Sequence, residues 1–316
     1  MASEPAERGT LKADAAQWER PERGSALVLR GGIWVATHLG RPVTRCLLAS
    51  VAAYYCLFAP TARRHARDFL RRVLGREPRK REQFRHVYAF AATILDRLYL
   101  GQERYELFEL TIEGGAQMEQ VFARGRGAFL LGSHLGSFPM LSAVGRQRPG
   151  LKVAWAIHGY HANRLNVLFG NRAAANAPEI VPLGQIDAML RIRDCLDAGQ
   201  FVGMLADRTI AQAPAQSVPF LGSPALFPVG PMRVAAALRR PAFFMTALYR
   251  GGRRYHAVFR EIADFSLPLP GGRDAAVRAA VERYASLLEE YCRSDPFNWF
   301  NFYDFWHGAP PDAPEA

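Results

Sequence analysis

The residues of this 316-residue chain best suited to chemistry lie in one short stretch, Gly127-Ala-Phe-Leu-Leu-Gly-Ser-His134-Leu-Gly-Ser-Phe-Pro139. An apolar run enters a polar, glycine-containing turn, and a helix signal follows. A histidine in such a turn sits at the carboxyl end of a strand, where open α/β sheets place their ligands. Imidazole is also the side chain best matched to proton transfer near neutral pH. The small residues Gly132, Ser133, Gly136 and Ser137 leave room for a substrate beside the ring. The competing reading is a structural histidine in a turn.

Asp207 and Arg208 follow a second apolar run, Phe201–Ala206, and are expected at the same sheet edge. The alternative for them is a strand-end turn with an exposed ion pair. The stretch Val218–Pro231 is rich in Pro and Gly and precedes a helix expected near Met232. Its backbone amides, with Gly222, Gly230 and Arg233, could bind a phosphate or an oxyanion at a helix N-terminus. A rigid loop packed over the core fits the same residues. His158 and His161 lie three apart, but a metal site needs a third ligand that the sequence does not offer. The four cysteines (46, 56, 195 and 292) form no CxxC pair, so neither zinc nor a disulfide framework is indicated.

The elements that must position these residues alternate. Strand-like runs fall at Ala128–Gly132, Val153–Ile157, Phe201–Ala206, Phe243–Leu248 and Tyr255–Phe259. Between them lie helix signals at Phe138–Gly145, His161–Ala175, Gln185–Ala198 and Gly230–Arg239. In the Gln185 helix, Ile186, Met189, Leu190 and Leu196 share one broad face. A last helix is expected from a cap at Asp274 to about Cys292, with Val277, Val281, Tyr284, Leu288 and Tyr291 at helical spacing. This alternation predicts an α/β fold, a central sheet flanked by helices, with a helical segment before it. The expected organisation is a polar tail (1–17), a basic and partly apolar helical segment (18–86), the α/β domain (87–306) and a short tail (307–316).

Charge sets the basic segment apart. Between Arg20 and His86, 15 Arg or Lys face 4 Asp or Glu, which accounts for the whole formal net charge of +11. Arginine predominates, and its fork suits phosphate oxygens. Inside this segment, Cys46–Ala59 is uncharged over 14 residues, and Phe69, Leu70, Val73 and Leu74 make an apolar stripe among arginines. At about 1.5 Å per residue the uncharged run falls short of a bilayer's hydrocarbon core. A short apolar helix beside a basic amphipathic one is the pattern of an in-plane membrane anchor, with a buried core helix as the alternative. The polar first 17 residues do not fit a signal peptide.

Taken together, these elements resemble the lysophospholipid acyltransferase superfamily, in the branch of the late acyltransferases of lipid A biosynthesis, and most closely relatives from aryl-polyene and glycolipid pathways of Gram-negative bacteria. The resemblance covers roughly residues 18 to 306. It rests on Gly127…Gly-Ser-His134-Leu-Gly-Ser-Phe, on Leu205-Ala-Asp207-Arg208, on Val218…Gly222…Pro228-Val-Gly230-Pro231, and on Pro296-Phe-Asn-Trp299…Asp304-Phe-Trp306. It implies that His134 takes the proton of an acceptor hydroxyl, which then attacks an acyl thioester with no metal and no cofactor beyond that co-substrate. It also implies that an Asp or Glu five residues on orients the ring. Here that position is Pro139. Asp207 is the first candidate for the missing acid, and Gly136, Ser137, Arg208, Gly222, Gly230 and Arg233 are the candidate substrate contacts. The closing aromatic cluster reads mainly as packing, with an acyl-chain wall or interfacial belt as alternatives.

The leading expectation is an acyltransferase that uses an acyl carrier protein or coenzyme A thioester and a hydroxyl of a lipid or glycolipid. It would act at the cytoplasmic face of the inner membrane, on anionic lipids, beside other enzymes of its pathway. Because carrier proteins are acidic, the arginine face could dock the donor instead. Pro139 favours an alternative, a catalytically silent relative that binds acyl lipids. Nucleic-acid binding is suggested by charge alone, without a recognition-helix or aromatic-sheet signature.

Overall fold

A computed structural model describes residue 38 and residues 40–158, 179–209 and 213–306. The expected helix at His161–Ala175, the residue His161 and both expected tails lie outside the described residues. The chain divides into two compact units, Met1–Leu47 and Leu48–Ala316.

The larger unit is built on a seven-stranded sheet. In chain order its strands are β1 (Glu109–Glu113), β2 (Phe129–Gly132), β3 (Val153–His158), β4 (Glu179–Leu183), β5 (Phe201–Leu205), β8 (Pro241–Tyr249) and β9 (Arg254–Asp264). Their order across the sheet is β1-β9-β8-β2-β5-β3-β4. Strands β8, β2, β5, β3 and β4 are parallel, and β9 reverses direction against β8, so the sheet is mixed. The fold class is the expected α/β.

Residues of these strands alternate between two cores. Phe129 and Leu131 of β2, with Phe244 and Leu248 of β8, enter one core; Leu130, Phe243 and Met245 enter the other. That is the period-two signature of strands covered on both faces. The first face is covered by α2 (Pro60–Leu74), α6 (Ala188–Asp197), α7 (Gly230–Ala237) and α8 (Gly272–Ser294). The second face is covered by α3 (Lys80–Gly101), α4 (Gly115–Ala123) and α5 (Phe138–Gln147). Helix α8 buries Val277, Val281, Tyr284, Leu288 and Tyr291, as its spacing predicts.

Four expectations are corrected. Helix α6 begins at Ala188 and buries Ala188, Ile192, Cys195 and Leu196, whereas Ile186, Met189 and Leu190 are exposed. Only a narrow stripe faces a sheet already crowded with side chains. Helix α8 begins at Gly272 behind a left-handed Gly271, so Asp274 lies inside the first turn. The Val218–Pro231 stretch is not a loop. It supplies most of an antiparallel hairpin, β6 (Ala215–Phe220) and β7 (Ser223–Pro228), turning at Leu221–Gly222. Two residues with positive φ, 50° and 83°, make a turn whose twist matches a hairpin.

The fourth correction concerns the basic segment. The stripe Phe69, Leu70 and Val73 is buried in the core of the sheet's first face, and the 86/87 boundary falls inside α3. The core-helix alternative therefore holds for α2, and its arginines cover the outer side. The apolar surface lies instead on α1 (Gly40–Phe58), where Val51, Tyr54, Tyr55, Leu57 and Phe58 are exposed. Among the described residues no single helix is long and apolar enough to cross a membrane; α1 and α2, bent by 95°, reach that length and apolar character only as a pair.

Candidate active site

The register of two neighbouring strands brings His134 and Asp207 together. Gly132 at the end of β2 pairs with Leu205 at the end of β5. Two residues further along each strand, His134 and Asp207 therefore face one another at the carboxyl edge. The His134 backbone N–H donates to Asp207 Oδ2 at 2.9 Å, and its ring Nδ1 lies 2.9 Å from Oδ1. Asp207 is fully buried, whereas the His134 side chain keeps 27% of its surface exposed.

This arrangement sets the chemistry of both groups. Burial alone pushes the Asp207 carboxyl up, but the His134 ring, its hydrogen bonds and the Arg208 charge more than reverse this and hold it down at about 2. An ionised carboxylate at Nδ1 selects the tautomer with the proton on Nδ1. Nε2 is then a lone-pair acceptor, and among the described residues nothing bonds to it. An imidazole nitrogen left open and backed by a buried carboxylate has the arrangement a general base requires. Pro139 is buried in the first turn of α5, where its fixed φ suits a helix start.

The turn is held by residues assigned no role at the site from the sequence. Phe300 N–H donates to His134 O at 2.9 Å, and Gly136 N–H donates to Asn298 O at 2.9 Å. Leu135 and Trp299 form an antiparallel bridge, so residues 298–300 act as a short strap across the turn. Asn298 is anchored in turn: its Oδ1 accepts Tyr249 N–H at 2.7 Å and its amide donates to Tyr249 O at 3.1 Å. Thr246 donates to Leu135 O at 2.7 Å, and Tyr284 donates to Gly132 O at 2.7 Å. The available signal was two asparagines, Asn298 and Asn301, inside an aromatic run; buried amides there imply partners.

The candidate substrate contacts divide. Arg208 lies at the site, donating to Asn301 Oδ1 at 3.3 Å with its guanidinium 4.8 Å from the Tyr303 ring centre. Gly136 has φ +76°, and a Cβ there would meet Ala247 O at 2.3 Å. Its lack of a side chain thus makes room for protein backbone rather than for substrate. Ser137 N–H donates to Ala247 O at 2.8 Å, and the residue is 1% exposed. Ser133 is also buried, accepting Leu135 N–H. Gly222 lies at the β6–β7 turn, Gly230 begins α7, and Arg233 is exposed on α7. Among the described residues no hydrogen bond or ion pair joins these three to His134 or Asp207. Trp299, Phe300 and Phe305 are buried, with Trp299 packed against Phe69, Phe220, Phe305 and Trp306. The aromatic cluster is chiefly packing, as expected.

A mixed α/β sheet with a histidine–carboxylate pair at its carboxyl edge has the form of an enzyme site suited to moving a proton. The family of bacterial lipid A biosynthesis acyltransferases matches residues 16–307, nearly the whole chain, and the chain belongs to that family. It is an acyltransferase of lipid biosynthesis. No curated protein matches it.

Proposed function

We propose that His134 is the general base and Asp207 the acid that orients it, in acyl transfer from a thioester to a lipid or glycolipid hydroxyl. Nε2 takes the hydroxyl proton as the oxygen attacks the thioester carbonyl carbon. The C–S bond then breaks, the ester forms, and the thiolate of the carrier protein or coenzyme A leaves and is protonated. Asp207 stabilises the imidazolium formed on the way. The observation that carries this reading is the Nδ1–carboxylate contact with Nε2 left open at the sheet edge. It also supports the reading against the objection raised by Pro139, because a carboxylate just beyond the end of β5 lies within hydrogen-bond reach of the ring. Turnover of acyl carrier protein and coenzyme A thioesters, measured against a panel of hydroxyl acceptors, tests it. Hydroxyl-dependent thiol release is expected, and no release with any pair would favour the silent-relative reading.

The reading places this chemistry at the cytoplasmic face of the inner membrane. It is supported by the exposed apolar residues of α1 and the arginine-rich outer side of α2. The protein is expected to sediment with anionic vesicles and to be partly released by high salt, since exposed charge attraction is screened over about 10 Å at 0.1 M. Leu57→Glu with Phe58→Glu should weaken the association. Equal binding to neutral vesicles, unaffected by salt, would remove the arginine argument.

A further inference from the structure

Asp207 is a buried carboxylate that must stay ionised in one orientation, and three groups approach its Oδ2. They are the His134 backbone N–H at 2.9 Å, Trp299 Nε1–H at 3.3 Å and, at 3.2 Å, the His134 Nδ1 that lies closer to Oδ1. Both Asp207 and Trp299 are completely buried. No arginine or lysine forms an ion pair with this carboxylate among the described residues; the adjacent Arg208 turns its guanidinium to Asn301 and Tyr303. A buried carboxylate with an unfilled lone pair either rotates toward another donor or takes up a proton. Either event takes Oδ1 away from the His134 ring.

Trp299 is attached at two points of the same machine. Its backbone bridges Leu135, the residue after His134, while its indole holds the carboxylate that faces the His134 ring. Its ring is wedged among Phe69, Phe220, Phe305 and Trp306 with centroid separations of 4.9–5.9 Å, which fixes the direction of the N–H. We propose that Trp299 is a positioning residue for acyl transfer, its indole N–H holding Asp207 so that Oδ1 faces His134 Nδ1. This rests on the assignment of His134 as base and Asp207 as its partner.

The role belongs to the N–H and is separable from the packing. Replacing Trp299 by β-(3-benzothienyl)alanine keeps the bicyclic shape and exchanges N–H for sulfur; Trp299→Phe removes the same donor with ordinary mutagenesis. Loss of one hydrogen bond to a charged group should lower kcat about tenfold in either variant. The KM values for thioester and hydroxyl substrate should stay within about twofold, because the group acts through His134 rather than on substrate. In an Asp207→Asn background the benzothienyl replacement should have almost no further effect, since the residue it positions is already neutral. Wild-type kcat in the benzothienyl variant would overturn the proposal, as would a tenfold loss that persists in Asp207→Asn. The underlying assignment fails separately, through a fully active His134→Ala enzyme. If Trp299→Phe does not fold, the isosteric variant decides the question.

Discussion

His134–Asp207 and His256–Glu113 are both histidine–carboxylate pairs, with closest contacts of 2.9 and 3.2 Å, yet they differ in every respect that matters for catalysis. The first joins the ends of two adjacent central strands, β2 and β5. The second lies on β9 and the edge strand β1. Asp207 is fully buried, whereas the Glu113 side chain keeps 37% of its surface exposed and also accepts hydrogen bonds from Tyr291 at 2.7 Å and Arg260 at 3.1 Å. The Tyr291 hydrogen bond, against partial burial and with help from His256 and Arg260, holds Glu113 below the usual carboxylate range. His256 uses both ring nitrogens, one on Glu113 and the other 2.8 Å from Thr111 Oγ1. His134 uses only Nδ1. A histidine–carboxylate contact is therefore not a site in itself; what sets the proposed base apart is a second ring nitrogen to which nothing bonds among the described residues, and a carboxylate with no ion-paired arginine or lysine there.

The difference is broken most directly by truncating each histidine. His134→Ala should lower acyl transfer by about a hundredfold or more, the usual cost of losing a general base. The fold should survive, because the ring projects partly into solvent. A fully active variant in a working assay would end the mechanism.

Asp207→Asn should cost somewhat less, about thirtyfold, since the amide preserves shape but cannot stabilise the imidazolium. It should also change the pH dependence of stability, read by denaturant melts at stepped pH. With a folded value near 2 against an ordinary 3.8, Asp207 stabilises the fold above pH 3.8, and that contribution is lost as pH falls toward 2. It amounts to about 2 kcal/mol. The asparagine variant should show a flatter acid slope in that window. An unchanged slope would mean that Asp207 is not held ionised.

His256→Ala is the matched control, with turnover expected to stay within about twofold and stability within about 1 kcal/mol, as for a surface pair. A loss approaching that of His134→Ala would erase the distinction drawn here.

Much of this comparison could be read from the sequence, but not all of it. The apolar runs before His134 and Asp207 located both at strand ends, since runs of that kind with turn signals specify strands whatever their neighbours. Strand order and register could not be read, because pairing is a property of the assembled sheet. The 73-residue separation of the pair therefore gives no hint of a 2.9 Å contact. The hairpin at 215–228 was hidden by prolines on a two-stranded ribbon, where few ladder bonds are lost. In α2, Phe69 and Leu70 gave the correct amphipathic pattern, but a pattern does not say whether a membrane or a core meets the apolar side. Trp299 was placed correctly in packing, and its N–H could not be assigned until Asp207 had a position.

The smallest effect is expected where the family pattern itself is restored. Pro139→Glu supplies an acid five residues after His134. The residue is buried in the first turn of α5, and Nδ1 already has its partner in Asp207. A second carboxylate on the same ring would bring two like charges into a buried space, so one of them would have to be protonated or turned away. Turnover should therefore not rise, and stability should fall modestly as a polar chain replaces proline in the interior. In Asp207→Asn the ring lacks its acid, and there the same substitution should recover part of the lost rate. A gain of about tenfold or more in otherwise wild-type protein would show that Asp207 does not supply the orienting charge, because a base already well partnered has little to gain from a second acid.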